Sequence, residues 1–220
     1  MPSNRLGVMG AAGAAGGGGV PHQLWTWGDN AEGQLGLGDV VNRSSPVQVG
    51  ALTDWASVAA GAYQSFAVKT NGTLWAWGYN GNGQLGLGDV VKRESPVQVG
   101  ALTTWAAVLG GDEFAAAIKT DGTLWAWGYN GLGQLGFGDT VNSSSPVQVG
   151  ALTDWASAVG GSIHSLAVKT DGTLWAWGYN AGGPLGLEDT FSRSSPVQVG
   201  ALTTWTAVSG GNKHSLALKL

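Results

Sequence analysis

The stretch Leu74-Trp75-Ala76-Trp77-Gly78-Tyr79-Asn80 decides the fold, because versions of it return along the chain at a constant spacing of fifty residues. Its first five residues recur unchanged at 124–128 and 174–178. They recur at 24–28 with one substitution, Thr26 in place of alanine. A second stretch, Ser95 to Thr103, is repeated unchanged at the same spacing. A period of this length without a helical pattern indicates a β-propeller or a β-solenoid, since one unit cannot bury its apolar faces alone.

Each unit contains four predicted strands. In the second unit they are A (55–60), B (65–69), C (73–77) and D (96–99). Trp75 and Trp77 are two residues apart and therefore share one face of strand C, while Leu74 and Ala76 take the other. A strand that is apolar on both faces suits a blade stacked between two other blades. Asn71-Gly72 predicts a tight hairpin between strands B and C.

The composition excludes several classes of protein. The 220 residues carry a net charge of −4, only 11% charged residues, no run of Lys or Arg and no cysteine. We therefore expect no nucleic-acid partner, no thiolate metal site and no cofactor. No apolar stretch approaches the roughly 20 residues needed to cross a bilayer. Residues 1–20 are predicted to form a flexible Gly/Ala-rich arm, and residues 21–220 the repeat domain.

Several of these motifs also resemble a known family. The run from Leu74 to Asn80, the stretch Gly83-Gln84-Leu85-Gly86-Leu87-Gly88, the proline at Pro96 and the segment 161–168 resemble the regulator of chromosome condensation repeat. The resemblance covers four consecutive units from Gln23 onward. It implies an all-β propeller fold, and for well-known members a seven-bladed ring.

The chain departs from the repeat pattern at four positions. Gln64 and Phe114 stand where His164 matches the family histidine, and Pro184 and Glu188 replace the Gln and Gly of other units.

Four units also leave open how the propeller closes. The first strands are C and D and the last are A and B, so the ends are complementary. They could close a four-bladed ring within one chain, or pair between chains in a homo-oligomer formed by strand exchange.

Other motifs are interpreted as accidents of the repeat. Gly110 to Phe114 spells a diguanylate cyclase motif, but no α/β pattern surrounds it. Gly81 to Gly86 matches a dinucleotide-binding glycine pattern without the helix that would face a pyrophosphate. The three histidines lack the close spacing of a zinc site. Asp89 and its repeats are interpreted as turn caps rather than calcium ligands.

Because the units are nearly copies, the positions at which they differ indicate a candidate binding face. The differences cluster in the A to B and C to D loops, which should emerge on one face of the ring. The predicted partner-binding residues are Tyr63, Lys92, Arg93, Asp112, Glu113, Phe114, His164, Lys213 and His214.

The predicted function is a non-catalytic protein-interaction or structural module, because no nucleophile, base or metal constellation converges. The resemblance also implies nucleotide exchange on a small GTPase or inhibition of an enzyme such as a β-lactamase, and neither is carried over to this chain. Exchange in the family is tied to a seven-bladed ring with an inserted wedge, and no insertion breaks the period here. The near-identity of the units suggests a bacteriophage virion or bacterial surface component, with localisation left open. The alternative is a multivalent carbohydrate-binding lectin.

Overall fold

The computed structural model describes residues 22–220, which form sixteen β-strands and contain no helix, and therefore none that could cross a bilayer. The strands are β1 (Trp25–Gly28), β2 (Arg43–Gln48), β3 (Trp55–Ala60), β4 (Gln64–Lys69), β5 (Leu74–Gly78), β6 (Arg93–Gln98), β7 (Trp105–Gly110), β8 (Phe114–Lys119), β9 (Leu124–Gly128), β10 (Ser143–Gln148), β11 (Trp155–Gly160), β12 (His164–Lys169), β13 (Leu174–Gly178), β14 (Arg193–Gln198), β15 (Trp205–Gly210) and β16 (Ser215–Lys219).

The strands are arranged in five antiparallel sheets. Three are complete blades with the strand orders β3-β4-β5-β6, β7-β8-β9-β10 and β11-β12-β13-β14. Two are two-stranded half-blades, β1-β2 and β15-β16, one at each end of the array. The A to D order predicted from the sequence is confirmed in every complete blade, and the fold is an all-β propeller.

Tryptophans form the core of each blade. Trp55 of β3 packs against Trp75 and Trp77 of β5, with ring centroids 6.1 and 6.4 Å apart. The ammonium group of Lys69 lies between two of these rings, 4.9 Å from the Trp55 centroid and 4.4 Å from that of Trp75. Each buried tryptophan removes about 150–250 Å² from water, so these rings dominate the stability of the blade.

A backbone carbonyl in each C to D loop joins its blade to the next. The Gln34 carbonyl accepts hydrogen bonds from the Trp77 indole Nε1, at 2.9 Å, and from the Ser65 hydroxyl, at 2.8 Å. The Trp77 ring covers Gly36, where an added Cβ would lie 2.7 Å from Nε1. Glycine is therefore required there by both contact and its positive φ.

The A strands lie innermost. The ends of β3, β7, β11 and β15 surround a glycine-rich cleft of about 320 Å³ at the axis. Within residues 22–220, β1 does not pair with β16, so these residues form an open arc, and the four-bladed ring, one of the two closures that the sequence leaves open, is not formed by them. The predicted N-terminal arm, residues 1–20, lies outside the described residues.

Candidate functional site

The loops that vary between units lie on one face of the arc, as the sequence predicts. Gln64 at the start of strand B lies opposite Gly78 at the end of strand C, so the A to B and C to D loops emerge together. The Tyr79 amide donates to the Tyr63 carbonyl at 2.8 Å, which joins the two loops. We call this surface, residues 61–63 and 79–92 with their repeats, the varied-loop face.

The opposite face carries the nearly constant B to C and D to A turns. The Trp105 amide donates to the Gly72 carbonyl at 3.1 Å, and the Thr70 amide donates to the Asp54 carbonyl at 2.8 Å. These bonds join neighbouring turns into a uniform rim. The loops that vary between units thus form one face of the arc, and the nearly constant turns form the other.

A cleft of about 220 Å³ opens on the varied-loop face. Its lining residues come from three consecutive A to B loops and from the start of one C to D loop, and they are Ala62, Tyr63, Asp112, Glu113, Tyr129, Ser162 and Ile163. Tyr63 is 50% exposed. The lining contains two carboxylates and two tyrosines, with no basic side chain. The lining therefore combines negative charge with aromatic side chains, a combination that suits a cationic group.

Hydrogen bonds hold the two carboxylates of this cleft in place. Asn82 Nδ2 donates to Glu113 Oε2 at 2.9 Å. The Ser162 hydroxyl donates to the Asp112 carboxylate, and the Asp112 amide donates to the Ser162 carbonyl at 3.3 Å. Because these partners come from other blades, the position of each carboxylate depends on the assembled arc.

Two of the nine predicted partner-binding residues lie inside the protein, which corrects their assignment to the exposed binding face. Phe114 and His164 are 1% and 0% exposed. Each is the first residue of its strand B, and its side chain points between two blades. Gln64, at the equivalent position, donates through Nε2 to the Gly111 carbonyl at 3.0 Å. This position connects blades rather than facing a partner.

His164 is held as a buried imidazole between two blades. Its Nε2 lies 2.9 Å from the Ser215 hydroxyl, which itself donates to the Pro184 carbonyl at 2.7 Å. Burial, and to a smaller extent the nearby His214, lowers the pKa of His164. The neutral form is therefore favoured in the folded protein.

Arg93 and Lys92 support the C to D loop. Arg93 donates to the Asp89 carboxylate at 2.6 Å and to the Val91 carbonyl at 2.5 Å. A hydrogen bond from the Val91 amide, followed by the Arg93 interaction, holds the pKa of Asp89 below its usual value. Lys92 pairs with Glu32 of the preceding loop at 3.9 Å and remains substantially exposed.

The remaining predicted residues, Tyr63, Asp112, Glu113, Lys213 and His214, are exposed or partly exposed on the varied-loop face. Their role in binding a partner stays a prediction. Sequence reasoning missed Tyr129, because tyrosine is repeated at 79, 129 and 179 and variation alone does not mark it. Its place directly after strand C, beside an A to B loop, is the signal that could have indicated it.

Together, the three complete blades, the constant inner core and the varied loops on one face define a tandem-repeat propeller of the type that serves as a protein-interaction module. The sequence profile of the regulator of chromosome condensation (RCC1) repeat matches residues 21–68, 71–118, 121–168 and 171–218, and a second profile of the same repeat matches 55–84 and 107–134. The chain belongs to the RCC1 repeat family.

Solved structures show the same fold. Human WBSCR16 is 25% identical and superposes with a TM-score of 0.81, covering 90% of this chain and 54% of its own. Prp20p from Saccharomyces cerevisiae is 22% identical with a TM-score of 0.80, covering 90% and 52%, and its structure bound to Kap60 covers 90% and 50%. This chain thus spans about half the length of the structures it matches. No curated protein matches the sequence.

Proposed function

We propose that this chain is a non-catalytic module that binds a protein partner through the varied-loop face. The observation that carries the proposal is the contrast between near-identical blades and the cleft formed where their A to B loops differ. Tyr63, Asp112 and Glu113 are unique to their units, and all three line that cleft. A rigid scaffold that positions variable loops is a common arrangement for binding.

The chemistry of the cleft favours a basic segment of the partner. A guanidinium or ammonium group in this cleft would lie near the aromatic side chains of Tyr63 and Tyr129, which both line it. Asp112 and Glu113 supply negative charge at the same place, and charged pairs of this kind guide association and set specificity. The net charge of −4 acts in the same direction.

Among the similar structures, Prp20p is described by its binding to Gsp1p and histones, and by a complex with Kap60. At 22% identity these structures share the fold with this chain, so the named proteins are only starting points for a partner screen.

Two further predictions concern the location of the protein and the alternative that it binds carbohydrate. A bacteriophage virion or bacterial surface location is tested by mass spectrometry of virions and of cell-surface fractions. The lectin alternative gains no support, because the repeated tryptophans of the complete blades pack into the core rather than forming open sugar sites.

The binding proposal is tested with a fluorescently labelled arginine-glycine repeat peptide, measured by anisotropy at increasing salt. We expect binding that weakens with salt, and about tenfold weaker binding for Tyr63→Ala and for Glu113→Gln. Leu102→Ala, on the opposite face and similarly exposed, is the matched control and should bind as the parent protein does. Absence of binding, or equal losses at Leu102 and Tyr63, would contradict the proposal.

A further inference from the structure

Asn71 differs from the residues at its equivalent positions by one chemical group, an amide in place of a carboxylate. The turns between strands B and C are Asn71-Gly72, Asp121-Gly122 and Asp171-Gly172 in the three complete blades. When glycine follows asparagine, the glycine nitrogen can attack the side-chain amide, because glycine has no Cβ to hinder the approach. The turn of one blade therefore carries a reactive pair that the same turn in the other two blades lacks.

The structure separates the asparagines that precede a glycine, which are Asn71, Asn80, Asn82 and Asn130. Asn80 and Asn130 are fully buried. Nδ2 of Asn130 donates to the Asp139 carboxylate at 3.0 Å, and its Oδ1 accepts from the Leu135 amide at 2.9 Å, as the corresponding atoms of Asn80 do. An amide held on both sides can react with the next nitrogen only when its loop opens.

Asn82 is partly buried, and its amide also has a partner on each side. Nδ2 donates to Glu113 Oε2 at 2.9 Å, and Oδ1 accepts from Asn142 Nδ2 at 3.3 Å. The amide of Asn82 is therefore held by residues of two other units.

The amide of Asn71 is exposed and is held on one side only. Its Oδ1 accepts from the Thr73 amide at 3.1 Å and from the Thr73 hydroxyl at 2.8 Å. Among residues 22–220, no group accepts a hydrogen bond from its Nδ2. Two donors on Oδ1 stabilise the negative charge that develops there when a nucleophile adds to Cγ. The side-chain amide is therefore both accessible and polarised.

We propose that Asn71 is a site of spontaneous deamidation, which converts this residue to aspartate and isoaspartate with water as the co-reactant. The Gly72 nitrogen loses its proton and bonds to Cγ of Asn71, the Cγ–Nδ2 bond breaks, and Nδ2 leaves as ammonia. Water then opens the cyclic imide. Opening at Cγ gives aspartate, and opening at the main-chain carbonyl gives isoaspartate. The site lies on the face of constant turns, and its reaction is independent of partner binding at the varied-loop face.

The reaction requires the turn to open one backbone hydrogen bond. The Gly72 amide donates to the Lys69 carbonyl at 2.9 Å. Thr70 and Asn71, between these two residues, are both exposed. An exposed turn opens at a lower free energy than a buried loop does. Asn71 should therefore react in the folded protein, more slowly than in the unfolded chain but faster than the buried asparagines.

The aspartate product is one that the fold already contains. Asp121 Oδ1 accepts from the Thr123 amide at 3.0 Å and from its hydroxyl at 2.7 Å, which are the bonds that Asn71 makes with Thr73. The Thr123 hydrogen bonds hold the pKa of Asp121 below its usual value, so its carboxylate is charged at neutral pH. A charged carboxylate resists attack by a nucleophile. Asp121 and Asp171 are therefore reference turns with the same geometry and without the reactive amide.

The isoaspartate product does not fit the turn. Its main chain runs through Cγ and is longer by one carbon between residues 71 and 72. The Gly72 carbonyl accepts from the Trp105 amide at 3.1 Å, which joins the second blade to the third. The Thr103 carbonyl lies directly against Gly72 and leaves no space on that side. The longer main chain therefore displaces Gly72 from Trp105 and loosens this junction between blades.

The test follows the full chain in mildly alkaline buffer by peptide mapping and mass spectrometry, with fragmentation to assign each position and chromatography to separate aspartate from isoaspartate. We expect Asn71 to lose its amide at least about tenfold faster than Asn80, Asn82 and Asn130 in the folded protein. In guanidinium chloride the four positions should react at similar rates. An unmodified Asn71, or a second position reacting equally fast in the folded protein, would overturn the proposal.

Two variants make the result specific. Asp121→Asn transfers the reactive pair to a turn of the same geometry, so position 121 should react at a rate similar to that of Asn71. Asn71→Asp supplies the aspartate product directly and should leave hydrogen exchange at the Trp105 amide as in the parent protein. The isolated isoaspartyl form should exchange faster there. An unreactive position 121, or equal exchange at Trp105 in the two product forms, would overturn the proposal.

Discussion

The ammonium group of Lys119 lies 3.5 Å from the centre of the Trp125 ring, closer than any other lysine–tryptophan pair among the described residues. Lys69 and Lys169 occupy the same position in neighbouring blades, and each also pairs with a carboxylate, Asp54 at 3.4 Å and Asp154 at 3.5 Å. In the Lys119 blade, Thr104 replaces that aspartate. Burial lowers the pKa of Lys119, so the charged form of this side chain is less favoured in the folded protein than in the unfolded chain.

Thr104→Asp should therefore stabilise the protein, by about 0.5–1 kcal/mol at neutral pH, because it supplies the carboxylate that the other two blades have. Because the pKa of Lys119 is lowered in the folded protein, the gain is present while the pH is below that lowered pKa and is lost as the pH rises through it. Chemical denaturation measures the change. Thr204→Asp, in the half-blade where Lys219 is exposed, is the matched control with a smaller expected gain. An equal or larger gain at Thr204 would contradict this explanation.

The buried His164 predicts an acid-sensitive stability. Its pKa is lowered in the folded state, so folding favours the neutral imidazole and the unfolded chain binds the proton first. The stability that depends on His164 is complete above about pH 6.5, the usual value, and is lost progressively as the pH falls toward the folded pKa.

His164→Gln removes this dependence, since Gln64 at the equivalent position bonds the neighbouring backbone without titrating. Thermal melts between pH 5 and 8 should show a smaller loss at low pH for this variant than for the parent protein. His22→Gln, at an exposed position, should leave the parent profile unchanged. Parallel profiles for His164→Gln and the parent would disprove the link.

Gly86 lies against the Trp127 ring and should not accept a side chain. An added Cβ would lie 2.8 Å from Nε1, and the backbone has φ +71°. Gly100 has a similar φ, +60°, but open space around its Cβ position. We expect Gly86→Ala to lower the free energy of unfolding by about 1–3 kcal/mol more than Gly100→Ala does, since overpacking adds to the shared backbone strain. Equal losses in denaturant melts would show that the contact with Trp127 contributes nothing.

Asn80 organises the C to D loop from within. It is fully buried; its Nδ2 donates to the Asp89 carbonyl and carboxylate at 3.0 Å, and its Oδ1 accepts from the Leu85 amide at 2.9 Å. Asn80→Ala leaves several of these groups unpaired and should cost about 2–4 kcal/mol. Asn71→Ala, in an exposed turn, should cost under about 1 kcal/mol. Hydrogen exchange should show the loss of protection concentrated at residues 81–92, and a uniform loss would contradict this role.

Much of the blade could be predicted from the sequence. The sequence predicts strand A at 55–60, and the structure has it at Trp55–Ala60, because a repeated tryptophan and flanking turns mark it on both sides. The sequence predicts strand D at 96–99, but the strand runs from Arg93 to Gln98. Its first residues have no apolar alternation. They pair with strand C through the backbone, with Arg93 opposite Gly78, and Ser143 at the equivalent position pairs with Gly128 in the same way without an arginine.

The candidate site could be predicted only in part. Variation between units marked Tyr63 and Glu113, which line the cleft, but it also marked Phe114 and His164, which are buried. The side chains of Phe114 and His164 are buried between two blades. The sequence does not show this burial, because it depends on how units of nearly identical sequence stack on one another. The same holds for β1 and β16, which resemble their repeats in sequence, although each pairs with one strand in the described arc and its repeats pair with two.

The central claim is that the loops where the blades differ, rather than the constant turns, contact the partner. Hydrogen exchange of the protein with and without the arginine-glycine peptide tests it most directly. We predict added protection at residues 61–63 and 111–113 and none at 50–54 or 99–104. Protection confined to those constant turns, or spread evenly over both faces, would contradict the account.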